Sequence, residues 1–320
     1  MDKKNKPAVA AIVYHRVDLD GLASMAVVRN SILADDPDAR IVLYPYTYGD
    51  RTPTDALIAL GPDRIVMADA SLPPEEMLRL KDRFGTAFIW IDHHATAIDD
   101  SVRHGYDDLA GLREVGRAAC RLCWEVFGLR AEAPRAIDLL SRYDVWDTAD
   151  GWEDEVLPFQ WAMREEIGLD PGKIIALTDA ILGDTDGSFV RSRIDTGRAI
   201  LSYARHSGAM GVDAYGFPVS IGREEHPGVA CLTSAFGSLA FEKTLGERPG
   251  TVAVCVNRIR PKEGQTEETY KVSIYAGPSD PGWHIGEYLK ETYGGGGHRG
   301  AGGATLTRAQ FVTLITEGRL

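Results

Sequence analysis

The chain predicts an α/β fold: an N-terminal domain built on a parallel sheet, a helical linker, and a smaller α/β C-terminal domain. Three observations predict it. Over residues 1 to about 100, short continuous apolar runs alternate with segments of helical spacing, the pattern of strands flanked by helices. The runs are too short and unbroken for amphipathic helices and suit buried parallel strands. After residue 115 the pattern turns helical, and past Gly208, Gly211 and Gly216 it returns to strand-like runs.

Residues 8–14 read as the first strand. Residues 21–33 follow as a helix, with Leu22, Met25, Ala26, Ile32 and Leu33 at core spacing and Asp20 near its start. Residues 40–46 and 64–68 are strands around a helix at 54–60. Ser71, Pro73, Pro74, Glu75 and Glu76 make a helix start: a hydroxyl to cap, prolines where no amide is needed, and acids at the positive end. That helix stops at Phe84 before Gly85, and residues 87–91 form the fourth strand. Helices are expected over 116–127, 133–143, 173–182 and 189–206, and the glycines at 208, 211 and 216 are expected to break the chain. Beyond them come a strand at 217–221, a helix at 232–245, a strand at 251–259, a turn at 261–265, a strand at 270–276, a helix at 285–293 and a strand at 304–306. The division expected is a catalytic domain over 1–185, a linker over 186–211 and a second domain over 212–320.

At 320 residues, 44% hydrophobic and 26% charged, the chain can bury a sizeable core. Its net charge of −12 and pI near 5.2 argue against a protein that tracks long nucleic acid, which shows a basic footprint. A phosphate-ester substrate is therefore expected to be small. No run approaches the roughly 20 apolar residues of a membrane span. The early lysines precede too short an apolar run for a signal peptide, so the cytoplasm is expected. The four cysteines, Cys120, Cys123, Cys231 and Cys255, are too few for a disulfide scaffold. Cys120 and Cys123 have the spacing of half a zinc site, yet sit at core positions of a helical segment; buried core is the expectation and a metal or redox role the alternative.

Chemistry collects where the apolar runs stop, as it does past the carboxyl ends of strands in open α/β sheets. The first run leads into His15, Asp18, Asp20 and Gly21, the third into Asp69, and the fourth into Asp92, His93 and His94. Oxygen donors with imidazole suit Mn²⁺, Mg²⁺ or Fe²⁺ better than thiolate-loving metals. Taken singly, Asp18 and Asp20 also read as helix-capping acids, and Asp69 as a turn residue. Paired imidazoles beside a carboxylate are costly to bury without partners, so a satisfied role is needed for Asp92, His93 and His94. Alternation along an extended chain predicts that one histidine ligates while the other faces substrate or the groups that surround the ligands. Gly294 to Gly297 would let backbone amides approach an anion, with His298 and Arg299 adding phosphate-binding side chains; a flexible linker is the alternative.

In this order the motifs resemble the DHH phosphoesterase superfamily with its DHH-associated C-terminal domain: His15, Asp18-Leu19-Asp20-Gly21, Asp69, Asp92-His93-His94, a later helical Asp, and Gly295-Gly296-Gly297-His298. The resemblance spans residues 8–305. It implies one metal at His15, Asp18 and a bridging Asp69, and a second held by Asp20, Asp69, His93 and Asp144. His94 is left for substrate and, with Asp92, for catalysis, while Gly296, Gly297, His298 and Arg299 would hold the phosphate or sugar of a nucleotide. Two divalent ions are implied, Mn²⁺ first, with Mg²⁺ or Fe²⁺ as alternatives. Many relatives carry an Asp-Thr pair at the fourth motif. Here Arg142-Tyr143-Asp144-Val145-Trp146 is similar instead to the oligoribonuclease B branch, which includes cyclic-nucleotide phosphodiesterases; Asp147 is the fallback for Asp144.

The implied activity is a metal-dependent phosphodiesterase that trims short RNA oligonucleotides to mononucleotides through activated water. Hydrolysis of cyclic mono- or dinucleotides, or of a nucleoside 3′,5′-bisphosphate, is the alternative within the enzyme class. A non-catalytic nucleotide sensor is the alternative outside it, against which the intact ligand set argues. Partners are expected to be short oligoribonucleotides or small nucleotides, neither long nucleic acid nor membrane, with a homodimer one assembly open to the chain.

Overall fold

The computed structural model describes residues 7–128, 132–232, 236–261, 267–277 and 281–320. The chain divides into two compact units, residues 1–200 and 201–320. The first contains β1 (Val9–His15), α1 (Leu19–Asp35), β2 (Arg40–Tyr46), α2 (Thr54–Leu60), β3 (Arg64–Ala68), α3 (Pro74–Phe84) and β4 (Phe88–Ile91). Then follow α4 (Ala95–His104), α5 (Ala119–Phe127), α6 (Arg135–Asp144), α7 (Leu157–Ile167), α8 (Pro171–Gly183) and the first part of α9 (Ser188–Tyr215). All four strands are parallel, in the order β2-β1-β3-β4.

That order decides where a ligand can sit. From β1 the chain crosses to β2 on one side, whereas β3 and β4 lie on the other. The switch point is therefore the crevice at the carboxyl ends of β1 and β3. Ala11 and Val13 of β1, Ile65 and Met67 of β3 and Trp90 of β4 form a core with Leu57 of α2 and with Met77 and Leu80 of α3. Trp90 is fully buried, and its indole nitrogen donates to the Ala70 carbonyl at 2.9 Å. Cutting it to alanine would cost about 3–5 kcal/mol. Helix α1 packs on β1 and also against α5, α6 and α8. A helix with protein on every side is apolar all round, and α1 is buried along most of its length.

The second unit takes the rest of α9, then β5 (Phe217–Ile221), β6 (His226–Cys231), a 3₁₀ turn (Gly237–Phe241), α10 (Glu242–Glu247), β7 (Val252–Ile259), β8 (Thr269–Ala276), α11 (Ile285–Tyr293), β9 (Gly296–His298), β10 (Ala301–Thr307) and α12 (Arg308–Glu317). Its six-stranded sheet has the order β5-β6-β7-β8-β10-β9; β6 and β7 run parallel and the other neighbours antiparallel. Val254, Ile274, Leu289, Leu306 and Leu314 are among its main core, while Phe241, Leu245, Ala253 and Cys255 form a second cluster.

The structure corrects several expectations. Helix α9 does not break at Gly208 or Gly211 but continues to Tyr215. A Cβ on Gly208 would stand 2.7 Å from the Ala240 Cα, so this glycine admits close packing inside a helix. Strand β6 was not expected, because Pro227 and Gly228 interrupt its apolar character. The helix expected at 232–245 is confined to the 3₁₀ turn and α10, with 233–235 outside the described residues; 262–265 of the expected turn lie outside them too. Ser71 does not cap α3: Pro73 takes the cap position without a side-chain bond, and the Ser71 hydroxyl instead faces Tyr48 at 3.5 Å. The glycine run is not a linker: Gly294 caps α11, and Gly296 and Gly297 are part of the sheet. At Gly297, φ +147, a Cβ would meet the Ala301 carbonyl at 2.4 Å, so β9 closes tightly on β10. Cys120 and Cys123 are buried core residues of α5 with free thiols. No helix among the described residues is long and apolar enough to cross a membrane.

Candidate metal centre

His15 is the last residue of β1. Its Nδ1 lies 2.9 Å from Asp18 Oδ2 and 3.6 Å from Asp69 Oδ2, and its Nε2 lies 3.3 Å from the Thr47 hydroxyl. Asp18 caps α1, its Oδ1 accepting the Gly21 amide at 2.9 Å. The capping and ligand readings therefore coexist in one carboxylate, one oxygen serving each. The turn is so close that a Cβ on Gly21 would sit 2.0 Å from the His15 carbonyl oxygen.

Asp69 follows β3 with φ +58, a left-handed conformation that a non-glycine residue keeps only at a cost on the order of 1 kcal/mol. Its amide donates to the Ile91 carbonyl at 3.0 Å, and the Trp90 indole holds the next carbonyl. The residue is only 1% exposed. Oδ1 stands 3.3 Å from His93 Nε2, while Oδ2 faces His15. One carboxylate thus spans two imidazoles from different strands.

The Asp92-His93-His94 segment departs from the alternation expected of an extended chain. Asp92 is fully buried, and its Oδ1 accepts the amides of His93 (2.8 Å) and His94 (3.2 Å) and the Nδ1 of the His94 ring (2.7 Å). This turn brings both rings to the same side, with centroids 4.5 Å apart. Asp92 acts through His94 and two amides, which makes it a positioning residue. His93 Nε2 lies 3.3 Å from Asp144 Oδ2, at the end of α6, and 3.8 Å from Asp20 Oδ2. Asp20 in turn accepts the amides of Ala119 and Cys120, each at 2.8 Å, from the first turn of α5. Asp147, the fallback ligand, is engaged by Arg142 at 3.0 Å.

Three sets of donors could each hold a cation: His15, Asp18 and Asp69; Asp20, His93 and Asp144; and Asp69, His93 and His94. Within each set the donor atoms lie within 4.8 Å of one another. His15 Nδ1 and Asp69 Oδ1 are buried without a hydrogen-bond partner although each has an opposite charge nearby. Their short approaches are misaligned for hydrogen bonding, which is how ligands aimed at a common centre are arranged. The donor set of carboxylate and imidazole fits a hard divalent ion.

The electrostatics agree. Burial pushes Asp20 up to about 7, helped by the charge of Asp69, and burial with the charge of Asp20 pushes Asp144 up to about 7 as well. Burial also raises Asp69, against the pull of His15 and His93. Burial lowers the two imidazoles, but neighbouring carboxylates outweigh it, carrying His15 up to about 10 and His93 to about 9. Crowded negative charge is holding protons here, and a cation can take their place.

Sequence reasoning missed Thr47 and Tyr48. They lie just beyond β2, the strand end without an acid or histidine. The Tyr48 ring is edge-on to both His15 (5.8 Å) and His94 (6.2 Å). Burial, with the charge of Asp92, pushes its hydroxyl up to about 12, so it stays a donor at neutral pH. The C-terminal candidates belong to the second unit: Gly296, Gly297 and the His298 backbone form β9, and the Arg299 carbonyl accepts the Ile285 amide at 3.1 Å. The side chain of His298 lies outside the described part of the structure.

No protein-family model and no curated protein sequence matches the chain. Among solved structures, the chain is similar to a pGpG-specific phosphodiesterase, PggH, from Vibrio cholerae, at 14% identity over 98% of this chain and 97% of the other, with a TM-score of 0.45. It is similar to the exonuclease RecJ bound to manganese at 15% identity, 96% and 88% coverage and a TM-score of 0.46. RecJ from Thermus thermophilus in complex with Mn²⁺ matches at 13% identity, 96% and 51% coverage and a TM-score of 0.49.

Proposed function

We propose that this chain is a metal-dependent phosphodiesterase of the DHH superfamily, in its oligoribonuclease B branch, that hydrolyses short RNA oligonucleotides to mononucleotides. One observation carries the reading: His15, Asp18, Asp20, Asp69, His93 and Asp144, gathered from across more than a hundred residues of chain, converge on two adjacent donor sets at the switch point of a parallel sheet. Asp69 reaches the imidazole of each set. Two divalent cations held there, Mn²⁺ in the first instance with Mg²⁺ or Fe²⁺ as alternatives, would polarise a phosphoryl group and lower the pKa of an attacking water.

The protein's own groups do the rest. His94 donates Nδ1–H to Asp92, which fixes the ring, and its side chain is the more open of the two, 35% exposed against 13% for His93. Burial lowers its pKa, but the Asp92 hydrogen bond and charge raise it overall. A protonated Nε2 can donate to a phosphoryl oxygen or to the leaving oxygen. Tyr48, whose hydroxyl stays protonated, supplies a neutral donor beside this cationic one. Gly296, Gly297, His298 and Arg299 are proposed to hold the phosphate or sugar of the nucleotide. The charge of −12 favours short ligands over long nucleic acid. Action in the cytoplasm, as a monomer or homodimer, belongs to the same proposal.

The test is an initial-rate panel with Mn²⁺: RNAs of two to ten nucleotides, cyclic mono- and dinucleotides, and a nucleoside 3′,5′-bisphosphate. The expected order places the shortest RNAs first. Faster turnover of a cyclic nucleotide or the bisphosphate would move the assignment within the class, and no hydrolysis of any substrate with Mn²⁺, Mg²⁺ or Fe²⁺ would remove it.

A further inference from the structure

We propose that Trp146 is a stacking platform for a nucleobase of the substrate. The inference rests on the phosphodiesterase reading above and adds a specificity-determining residue to it. Trp146 follows Asp144 by two positions, so its Cα lies within about 7 Å of that ligand's Cα. It is 61% exposed, unusual for so large an apolar ring. Its backbone has φ +57, and the other described non-glycine residues in that region are Asp69 and Glu225. Two of the three left-handed residues thus border the metal centre. Trp146 bears this strain without the reward of burying its indole.

The surrounding loop holds the ring in place. The Arg142 guanidinium bonds Asp147 Oδ2 at 3.0 Å and the carbonyls of Ala149 (3.2 Å) and Asp150 (2.9 Å), which closes the loop beneath residue 146. The Trp146 amide donates to the Tyr143 carbonyl at 3.2 Å. The indole meets Trp152 edge to face with centroids 4.9 Å apart, and Trp152 lies stacked on Tyr143 at 5.8 Å with an interplanar angle of 4°. A packed aromatic pair therefore backs an exposed third ring. Such an arrangement costs little entropy on binding and offers a π-face to any base. It recognises the presence of a base rather than its identity, because stacking tolerates every base.

The experiment compares wild type with Trp146→Phe, Trp146→Ala and Trp146→Asn, the last because asparagine tolerates a left-handed backbone. Two substrates are used with Mn²⁺: an adenine dinucleotide, and an abasic dimer with the same sugar–phosphate backbone. Loss of one stacked base should lower kcat/KM on the adenine dinucleotide roughly 5- to 150-fold in the Ala and Asn variants, chiefly through KM. Trp146→Phe should retain most of it, and all variants should match wild type on the abasic dimer. An equal loss on both substrates, or none on the adenine dinucleotide, overturns the platform. Titrations with AMP and with ribose 5-phosphate keep the two readings apart. If wild type hydrolyses neither dimer, the short-RNA assignment fails, and the platform is judged by binding. The platform then stands only if wild type binds AMP more than about 5-fold tighter than ribose 5-phosphate and the Ala and Asn variants bind both alike; no such preference overturns it.

Discussion

Replacing Asp92 probes the turn on which both histidines depend. Its Oδ1 accepts two backbone amides and the His94 ring, while Oδ2 is buried without a partner. Asp92→Asn keeps a carbonyl oxygen for the amides but removes the charge, and bonds to charged acceptors are worth about 1.5–3 kcal/mol each. It also places an amide group where no protein acceptor waits, a buried unsatisfied donor costing about 1–3 kcal/mol. A destabilisation of about 2–5 kcal/mol is expected, a large share of a typical domain's roughly 5–15 kcal/mol. Asp92 belongs to none of the candidate donor sets, so metal should still bind. The ring of His94 would lose its fixed tautomer and its raised pKa, and kcat should fall about 10- to 100-fold, the usual effect of removing a group that orients a site histidine. Urea denaturation, Mn²⁺ calorimetry and a pH–rate profile measure the three consequences separately. An Asp92→Asn protein with the wild-type urea midpoint and an unshifted acid-base profile would refute the positioning role.

Four further outcomes are expected. Asp69→Ala should abolish Mn²⁺ binding and turnover together, because its two oxygens face both imidazoles; calorimetry showing two ions still bound would remove the shared-carboxylate scheme. His94→Ala should keep the metals, read by the same calorimetry, yet lower kcat about 100-fold or more, as loss of a general acid does; metal loss instead would make His94 a ligand. Gly21→Ala forces a Cβ to 2.0 Å from the His15 carbonyl, so thermal melting should show a loss of about 2 kcal/mol or more and weaker Mn²⁺ binding; an unchanged melt would mean that the turn relaxes freely. The last concerns pH. Imidazoles raised to about 10 and 9 stabilise the metal-free fold fully below their ordinary 6.5 and lose that contribution as pH climbs through the raised values; acids raised from 3.8 to about 7 lose theirs between those two values. Both act in one direction, so the chelator-treated protein should melt lower at about pH 8.5 than at about pH 6, and Mn²⁺ should raise the melting temperature more at the higher pH. Equal stabilisation at both pH values would contradict this charge arrangement.

Much of this was legible in the sequence because parallel strands announce themselves twice, by their apolar runs and by the polar residues on which they end. β2, α2 and β3 have the expected limits, and the ends of β1, β3 and β4 deliver His15, Asp69 and Asp92 to one crevice. The failures have two physical causes: a local turn overrode alternation, and contacts between distant segments overrode other local signals. Alternation put His93 and His94 on opposite sides, but one buried carboxylate folds them together. Gly208 reads locally as a break, yet Ala240, far along the chain, needs its missing Cβ. Helix α5 was expected to begin at 116, whereas the carboxylate of Asp20 takes the amides of Ala119 and Cys120 at its first turn. Tyr48 carried no signal at all, since an aromatic residue after a strand usually belongs to packing.

The tether between Asp20 and α5 has a kinetic side. It joins groups 99 and 100 positions apart, so closing it demands a long excursion of the backbone, slow to complete compared with neighbouring contacts. A growing chain that has emerged only as far as β4 carries most of the acids and histidines but not the helix that holds Asp20, nor Asp144. Completion of the second donor set, Asp20 with His93 and Asp144, is thereby postponed until the helical half has docked, and a truncated nascent product carries the set of His15, Asp18 and Asp69 without its neighbour.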